Sequence, residues 1–229
     1  MEPLIPMREL SHLFANNRTW ADRIRTEDPD FFRKLCHQQA PRYFWIGCAD
    51  SRVPANQITG LLPGEMFVHR NVANVVPRQD LNCHSALQFA VDVLHVRHVI
   101  VCGHYGCAGV RAALHGLRFG LVDQWLVHVE KVRRKHAAQL TSLGDEGTQF
   151  DRLCELNVIE QLTHVCEAAC VQDAWARDQP VMVHGWIYAV KDGLLRDLGL
   201  CIAAPEELAP AYQAAVARGS PLIDVGQDI

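Results

Sequence analysis

The chain has 229 residues, 49% of them hydrophobic, and a formal net charge of −4. This length suits one large domain or two small ones, and the lack of a basic surplus predicts that no nucleic acid is a partner. No apolar run approaches the roughly 18 residues of a bilayer-spanning helix, so we expect no membrane partner, and the first residues predict no secretory signal. Nine cysteines, an odd number, predict a reducing, cytoplasmic location in which thiols are buried or bind metal.

The pattern along the chain begins with helices. Apolar spacing predicts one helix from Met7 to Trp20 and another from Trp20 to Lys34, with a break or a fresh start at Asp28-Pro29. Helical spacing returns in segments 82–94 and 149–176. Short apolar runs bounded by glycine or proline predict buried strands at Tyr43–Ile46, Glu65–His69, His98–Cys102 and Pro180–His184.

This alternation of strands and helices predicts an α/β fold with a mostly parallel central β-sheet flanked by helices. We expect a single domain over residues 1–229, with a helical N-terminal arm at 1–35 and an Ala- and Pro-rich C-terminal tail at 204–229. The sequence contains no internal repeat and no linker that would divide it.

Two polar motifs follow predicted strands. Cys48 and Asp50 come directly after the first strand, and His104 and Cys107 come after the third. Sites in α/β sheets form outside the carboxyl ends of the strands, so we expect these side chains to meet. Two cysteines and one histidine are the ligands of a catalytic zinc ion whose fourth position is open. The sequence therefore predicts one Zn²⁺ ion per chain.

Asp50 and Arg52 are expected to control that fourth position. Two thiolates neutralise the charge of a zinc ion, so activation of a bound water benefits from a nearby proton acceptor, and Asp50 lies two residues from a ligand. Arg52 would hold Asp50 in a charge-assisted pair. Alternatively, Asp50 is a fourth metal ligand that closes the site. One motif would then encode an active and a latent state.

Other interpretations of these residues stay open. Cys48 alone would more often be a buried thiol at the end of a strand, and the four ligands would also suit a closed structural site in a noncatalytic binding module. A zinc deaminase is disfavoured because its Pro-Cys-x-x-Cys signature is missing. Thiol redox chemistry is disfavoured because the sequence has no Cys-x-x-Cys motif.

Longer sequence blocks surround these motifs, at Trp45–Pro54, Pro63–Asn74, Cys102–Cys107 and His184–Tyr188. In these blocks the chain resembles the β-class carbonic anhydrases. The resemblance implies a lyase that reversibly hydrates CO₂ to bicarbonate and a proton, with zinc-bound hydroxide as the nucleophile. It implies three zinc ligands, Cys48, His104 and Cys107. It also implies that Asp50 and Arg52 form a catalytic dyad.

The same resemblance implies the surroundings of the metal. Phe67, Val72 and Phe89 match the small apolar CO₂ pocket of the family, although ordinary core packing would explain the same residue types. Gln39 matches a residue that in some members donates a hydrogen bond to the substrate from the neighbouring subunit. Members form dimers that often pair into tetramers, so a homodimer or a dimer of dimers (a homotetramer) is expected.

Within the family, the chain is most similar to a bacterial, bicarbonate-regulated subgroup, called type II. Trp45, Arg70 and Tyr188 match the residues of its second, noncatalytic bicarbonate site. Bicarbonate bound there is linked to closure of the zinc site by Asp50. The resemblance therefore implies inhibition by bicarbonate and a loss of activity below about pH 8. The alternative is a tryptophan packed in the core and a tyrosine whose hydroxyl is satisfied.

Overall fold

The computed structural model of the chain describes residues 10–37 and 39–222. The chain divides into two compact units, Met1–Gln39 and Ala40–Ile229. The first unit contains helix α1, Ser11–Glu27, and helix α2, Phe31–His37; the second of these ends two residues beyond the helical arm predicted at 1–35. None of the helices in the described ranges is both long enough and apolar enough to cross a membrane.

The helices of the first unit meet at the predicted break. The Asp28 carboxylate pairs with Lys34 at 2.8 Å, and the rings of Trp20 and Phe32 pack edge to face with centroids 5.7 Å apart. The predicted helix boundary at Trp20 is wrong, because α1 continues through this residue. The predicted start at Met7 lies outside the described residues.

The second unit is built on a five-stranded sheet. Its strands are β1, Tyr43–Cys48; β2, Met66–Asn71; β3, His98–His104; β4, Met182–Ala189; and β5, Leu194–Ile202. They lie in the order β2-β1-β3-β4-β5. The first four are parallel, and β5 is antiparallel to β4. The predicted α/β fold with a mostly parallel sheet is confirmed.

Helices cover this sheet. They are α3, Ala55–Thr59; α4, Leu81–Gln88; α5, Ala108–His115; α6, Leu121–Lys135; α7, Ala137–Ser142; α8, Glu146–Cys166; α9, Ala169–Ala176; and α10, Pro205–Ala217. The predicted helix at 149–176 is divided between Cys166 and Ala169. Much of the predicted C-terminal tail is the helix α10, which starts with Pro205, where the fixed φ of proline is compatible with a first helical turn.

Helix α8 lies at the centre of the second unit. Every residue from Arg152 to Leu162 is buried, because β3 and β4 pack on one side of the helix and α5, α6 and α10 pack on others. Burial on all sides means that charged residues within this stretch need partners from the protein itself. Arg152, Glu155 and Glu160 are three such residues.

Asp151 lies at the edge of this buried stretch, and its surroundings make the stability of the fold depend on pH. Burial, and then the charge of Glu155 one turn further on, raise its pKa to about 6. A free aspartate has a pKa near 3.9. The folded chain therefore binds more protons than the unfolded chain between about pH 4 and pH 6, and its stability falls as the pH rises through that window.

We expect the Asp151→Asn substitution to remove the loss of stability that occurs as the pH rises. Because Asp151 is only partly buried and solvent weakens the effect, the free energy of unfolding should rise by only about 1 kcal/mol near pH 7 and should be unchanged near pH 4. Urea denaturation at the two pH values measures the difference. An equal effect at both values would mean that the aspartate charge is not the cause.

Candidate metal centre and active site

Three potential metal ligands converge at one edge of the sheet. Cys48 is the last residue of β1, His104 is the last residue of β3, and Cys107 directly precedes α5. The neighbouring parallel strands end side by side, and Gly106, with a φ of 74°, allows the chain to turn back between His104 and Cys107. The three ligand atoms lie within 4.8 Å of one another, and all three residues are buried.

The imidazole of His104 is oriented for metal binding. Its Nδ1 donates a hydrogen bond to the Tyr105 carbonyl at 3.0 Å, which leaves Nε2 with a free lone pair. Nε2 is buried and has no hydrogen-bond partner within the described residues, and the Asp50 Oδ2 atom is 3.7 Å away, beyond hydrogen-bond length. A buried acceptor beside two sulfurs fits a Zn²⁺ ion.

The two cysteines behave as a pair of metal-binding thiols. Their Sγ atoms are 3.9 Å apart, and the hydrogen bond between them lowers the pKa of Cys48 to about 4 while it raises the pKa of Cys107. The backbone N–H groups of Asp50 and Ala73 each lie 3.4 Å from the Cys48 sulfur. A metal cation would take the place of the shared proton, since zinc binds cysteine as the thiolate.

A strained turn supports the Cys48 sulfur, and residue patterns did not predict it. Ala73 and Asn74, in the 3₁₀ turn Val72–Asn74, have φ values of 63° and 47°, which non-glycine residues rarely adopt. The Asn157 side chain on α8 donates to the Ala73 carbonyl at 2.8 Å. Backbone strain of this kind persists where the surroundings fix it, often at functional sites. An alanine carries no sequence signal for such a role.

Asp50 and Arg52 form a pair at the mouth of this centre. The Arg52 Nε and Nη2 atoms donate to the two carboxylate oxygens of Asp50 at 3.0 and 2.8 Å, and the Arg52 backbone N–H adds a bond of 3.0 Å. The Arg52 guanidinium thereby holds the pKa of the Asp50 carboxyl well below its usual range. The two carboxylate oxygens of Asp50 are therefore both directed to the Arg52 guanidinium.

Apolar side chains predicted to receive CO₂ lie on nearby elements. The rings of Phe67, on β2, and Phe89, after α4, have centroids 6.0 Å apart. Val72 and Phe89 are 39% and 43% exposed, so ordinary core packing does not account for them. The Val72 carbonyl accepts a hydrogen bond from the Trp125 indole at 2.9 Å, a neighbour that sequence patterns did not reveal. Gln39 belongs to the first unit and is exposed.

Trp45 and Tyr188 lie in one buried cluster on the opposite face of the sheet from the main core. The Trp45 indole covers Gly47, where an added Cβ would lie 2.1 Å from Nε1. That Nε1 atom is buried and, in the part of the chain that the structure describes, has no hydrogen-bond partner. Such an unpaired donor is costly, which suits a position where a ligand would accept from it.

Arg70 ties the sheet to the loop that carries the metal motif. Its Nε donates to the Cys48 carbonyl at 2.8 Å, and its Nη2 donates to the Asp50 carbonyl at 2.5 Å. Arg70 is paired in register with Gly47, on the same sheet face as Trp45. One guanidinium therefore contacts the backbone of both a metal ligand and the dyad carboxylate residue.

Comparisons with known proteins agree with this geometry. The family model described as carbonic anhydrase matches residues 43–195. A carbonic anhydrase of Emericella nidulans is 48% identical over 188 residues, 82% of each chain. The solved Coccomyxa β-carbonic anhydrase, in complex with acetazolamide, is 43% identical with a TM-score of 0.83 and covers 88% of this chain and 91% of its own.

A second solved structure extends the likeness. One of two tetrameric β-carbonic anhydrases from Sordaria macrospora is 36% identical, with a TM-score of 0.80 over 84% of this chain and 98% of that chain. The family match spans strands β1 to β4 and the segments that carry Cys48, His104 and Cys107, the three residues that fit a zinc ion. The chain therefore belongs to the β-class carbonic anhydrases, the zinc enzymes that interconvert CO₂ and bicarbonate.

Proposed function

We propose that this chain hydrates CO₂ reversibly at a zinc centre held by Cys48, His104 and Cys107. The observation that carries the proposal is the convergence of the three ligand atoms within 4.8 Å around a buried His104 Nε2 whose other ring nitrogen is already bonded. These three residues would hold the zinc ion, which would supply a water-derived nucleophile for CO₂ near neutral pH.

In this proposal Asp50 accepts a hydrogen bond from the nucleophile, and Arg52 orients Asp50. The bidentate contact with Arg52 keeps the Asp50 carboxylate ionised and acceptor-only. An ionised acceptor fixes which lone pair of the attacking oxygen faces the substrate. The 3.7 Å gap between Asp50 Oδ2 and His104 Nε2 supports this assignment, because it puts the carboxylate beside the ligand cluster.

Phe67, Val72 and Phe89 are proposed as the wall against which CO₂ lies. CO₂ has no dipole, so an apolar surface accepts it without loss of hydrogen bonds, whereas charged bicarbonate is poorly solvated there and leaves. The exposure of Val72 and Phe89 supports this role. Gln39 is proposed to donate a hydrogen bond to substrate in the active site of a neighbouring subunit.

We further propose that bicarbonate inhibits the enzyme at a second site made by Trp45, Arg70 and Tyr188. The buried Trp45 Nε1 has no hydrogen-bond partner among residues 10–37 and 39–222, and in this proposal it donates to the anion. An anion that attracts the Arg70 guanidinium would weaken its bonds to the Cys48 and Asp50 carbonyls. Release of that loop would let Asp50 leave Arg52 and become a fourth metal ligand, as in the type II subgroup.

Stopped-flow CO₂ hydration with and without bicarbonate, near pH 7 and near pH 9, tests this switch. We expect strong inhibition only at the lower pH. Bicarbonate should inhibit the Trp45→Phe variant with about tenfold lower affinity, because the variant lacks one hydrogen bond to a charged ligand. The matched control is Trp186→Phe, a substitution on the same sheet face. Unchanged activity across pH and bicarbonate concentration in the parent chain would contradict the switch.

A homotetramer, as a dimer of dimers, and a cytoplasmic location are also proposed. The Sordaria macrospora structures, described as tetrameric, support the first. The free state of all nine cysteines supports the second, because reducing compartments keep thiols reduced. Sedimentation equilibrium would reject the tetramer if it gave the mass of a monomer or a single dimer, and cell fractionation would reject the location if the chain were found in an organelle.

A further inference from the structure

A carboxylate deep in α8 connects distant parts of the chain. Glu155 is fully buried, and its Oε1 atom accepts hydrogen bonds from the Tyr105 hydroxyl at 2.5 Å and from the Leu222 backbone N–H at 2.6 Å. Its Oε2 atom accepts from Arg152 Nη1 at 2.7 Å. Three donors from three separate segments therefore meet at one side chain.

Arg152 extends this network to the end of α10. The residue is fully buried, and its Nη2 atom donates to the carbonyls of Ala215 and Val216 at 2.9 and 3.1 Å. The Arg152–Glu155 pair therefore has further polar partners, as a buried ion pair requires if it is not to destabilise the fold. The segment from Ala215 to Leu222 is fixed to α8 at both ends by this pair.

Tyr105 connects the same carboxylate to the metal centre. Its backbone N–H donates to the Tyr188 carbonyl at 3.0 Å, its hydroxyl donates to Glu155, and its carbonyl accepts the His104 Nδ1–H at 3.0 Å. Tyr105 is therefore held at three points. Since its carbonyl selects the tautomer and the ring orientation of His104, a displacement of the Tyr105 backbone would redirect the metal-binding Nε2 atom.

We infer that Glu155 is a positioning residue for the zinc ligand His104, and that the C-terminal segment ending in Leu222 completes this role. Glu155 anchors the Tyr105 hydroxyl, the Tyr105 carbonyl anchors the imidazole, and the Leu222 N–H and Arg152 hold the carboxylate in the required orientation. The inference rests on the proposed zinc centre. It differs from a purely structural role, in which the buried Arg152–Glu155 pair would serve packing alone.

The first experiment removes only the hydroxyl that joins Glu155 to the ligand loop. The variant is Tyr105→Phe, and its matched control is Tyr212→Phe, which deletes the hydroxyl bonded at 2.6 Å to Glu160 on the same helix. The measurement is the rate at which zinc-loaded protein releases the metal to a chelator, together with the visible spectrum of the cobalt-substituted protein.

We expect Tyr105→Phe to release zinc about tenfold faster and to change the cobalt spectrum, a typical effect for a partner of a metal ligand. Tyr212→Phe should match the parent chain in both measurements. Equal release rates for the two variants would overturn the inference. If the parent chain itself failed to retain zinc, the proposed centre would fail instead, so the two failures are distinguishable.

The second experiment separates the Leu222 N–H from the Leu222 side chain. The Leu222→Pro substitution removes the backbone donor, whereas Leu222→Ala keeps the donor and removes the apolar contact with the core. We expect faster zinc release only for Leu222→Pro, by several-fold. Equal effects of the two substitutions would assign the C-terminal segment to packing and would exclude it from the positioning network.

Discussion

The substitution Cys48→Ser should abolish zinc binding and reduce kcat/KM for CO₂ hydration by at least about 1,000-fold. A serine hydroxyl stays protonated near neutral pH, so it does not replace the thiolate that zinc prefers. The change also removes the sulfur that accepts from the Ala73 N–H at 3.4 Å, in the turn that the chain holds at an unfavourable φ.

Metal analysis of the purified variant and stopped-flow hydration measure this effect. The matched control is Cys201→Ser, an exposed cysteine on β5 outside the ligand cluster, which should keep both zinc and activity. A Cys48→Ser protein with a full complement of zinc and parental activity would show that Cys48 is not a ligand.

The substitution Asp50→Asn should lower kcat/KM about 100-fold while zinc content stays unchanged. Asparagine has nearly the shape of aspartate, but it offers one acceptor oxygen where aspartate offers two, and it carries no charge to hold Arg52. The bidentate pair at 3.0 and 2.8 Å would therefore be lost, and with it the fixed acceptor beside the metal ligands.

The chain provides a close control for this second result. Asp192 accepts hydrogen bonds from the Arg196 guanidinium and from the Leu194 backbone N–H, in the same manner as Asp50 with Arg52, but at an exposed turn. The Asp192→Asn variant should keep parental rates. If Asp50→Asn also kept them, Asp50 would be neither the hydrogen-bond acceptor of the nucleophile nor the closing ligand.

The sheet and the ligand cluster were predictable because they depend on residue type and strand position. Cys48 and His104 are the terminal residues of adjacent parallel strands, and apolar runs mark both strands. Strand β5 was missed because Arg196, Asp197 and Gly199 interrupt its apolar pattern, and its pairing with β4 includes a register shift.

The supporting network could not be predicted, for a different physical reason. A glutamate on a helix is usually solvated, whereas Glu155 is buried and is contacted by Tyr105 and Leu222 from distant segments. Helical spacing in the sequence does not report which distant segment covers a given face. Arg70 donates to the backbone carbonyls of Cys48 and Asp50. Because every residue type has a backbone carbonyl, the identity of the accepting residue does not indicate such a bond.

The contact between Trp45 and Gly47 restricts the order in which this sequence can change during evolution. Because an added Cβ at residue 47 would lie 2.1 Å from the indole nitrogen, no larger residue fits there while the tryptophan is present. A smaller side chain at position 45 must come first, and only then is position 47 free to vary. The two positions are therefore epistatic, and a lineage that keeps Trp45 also keeps Gly47.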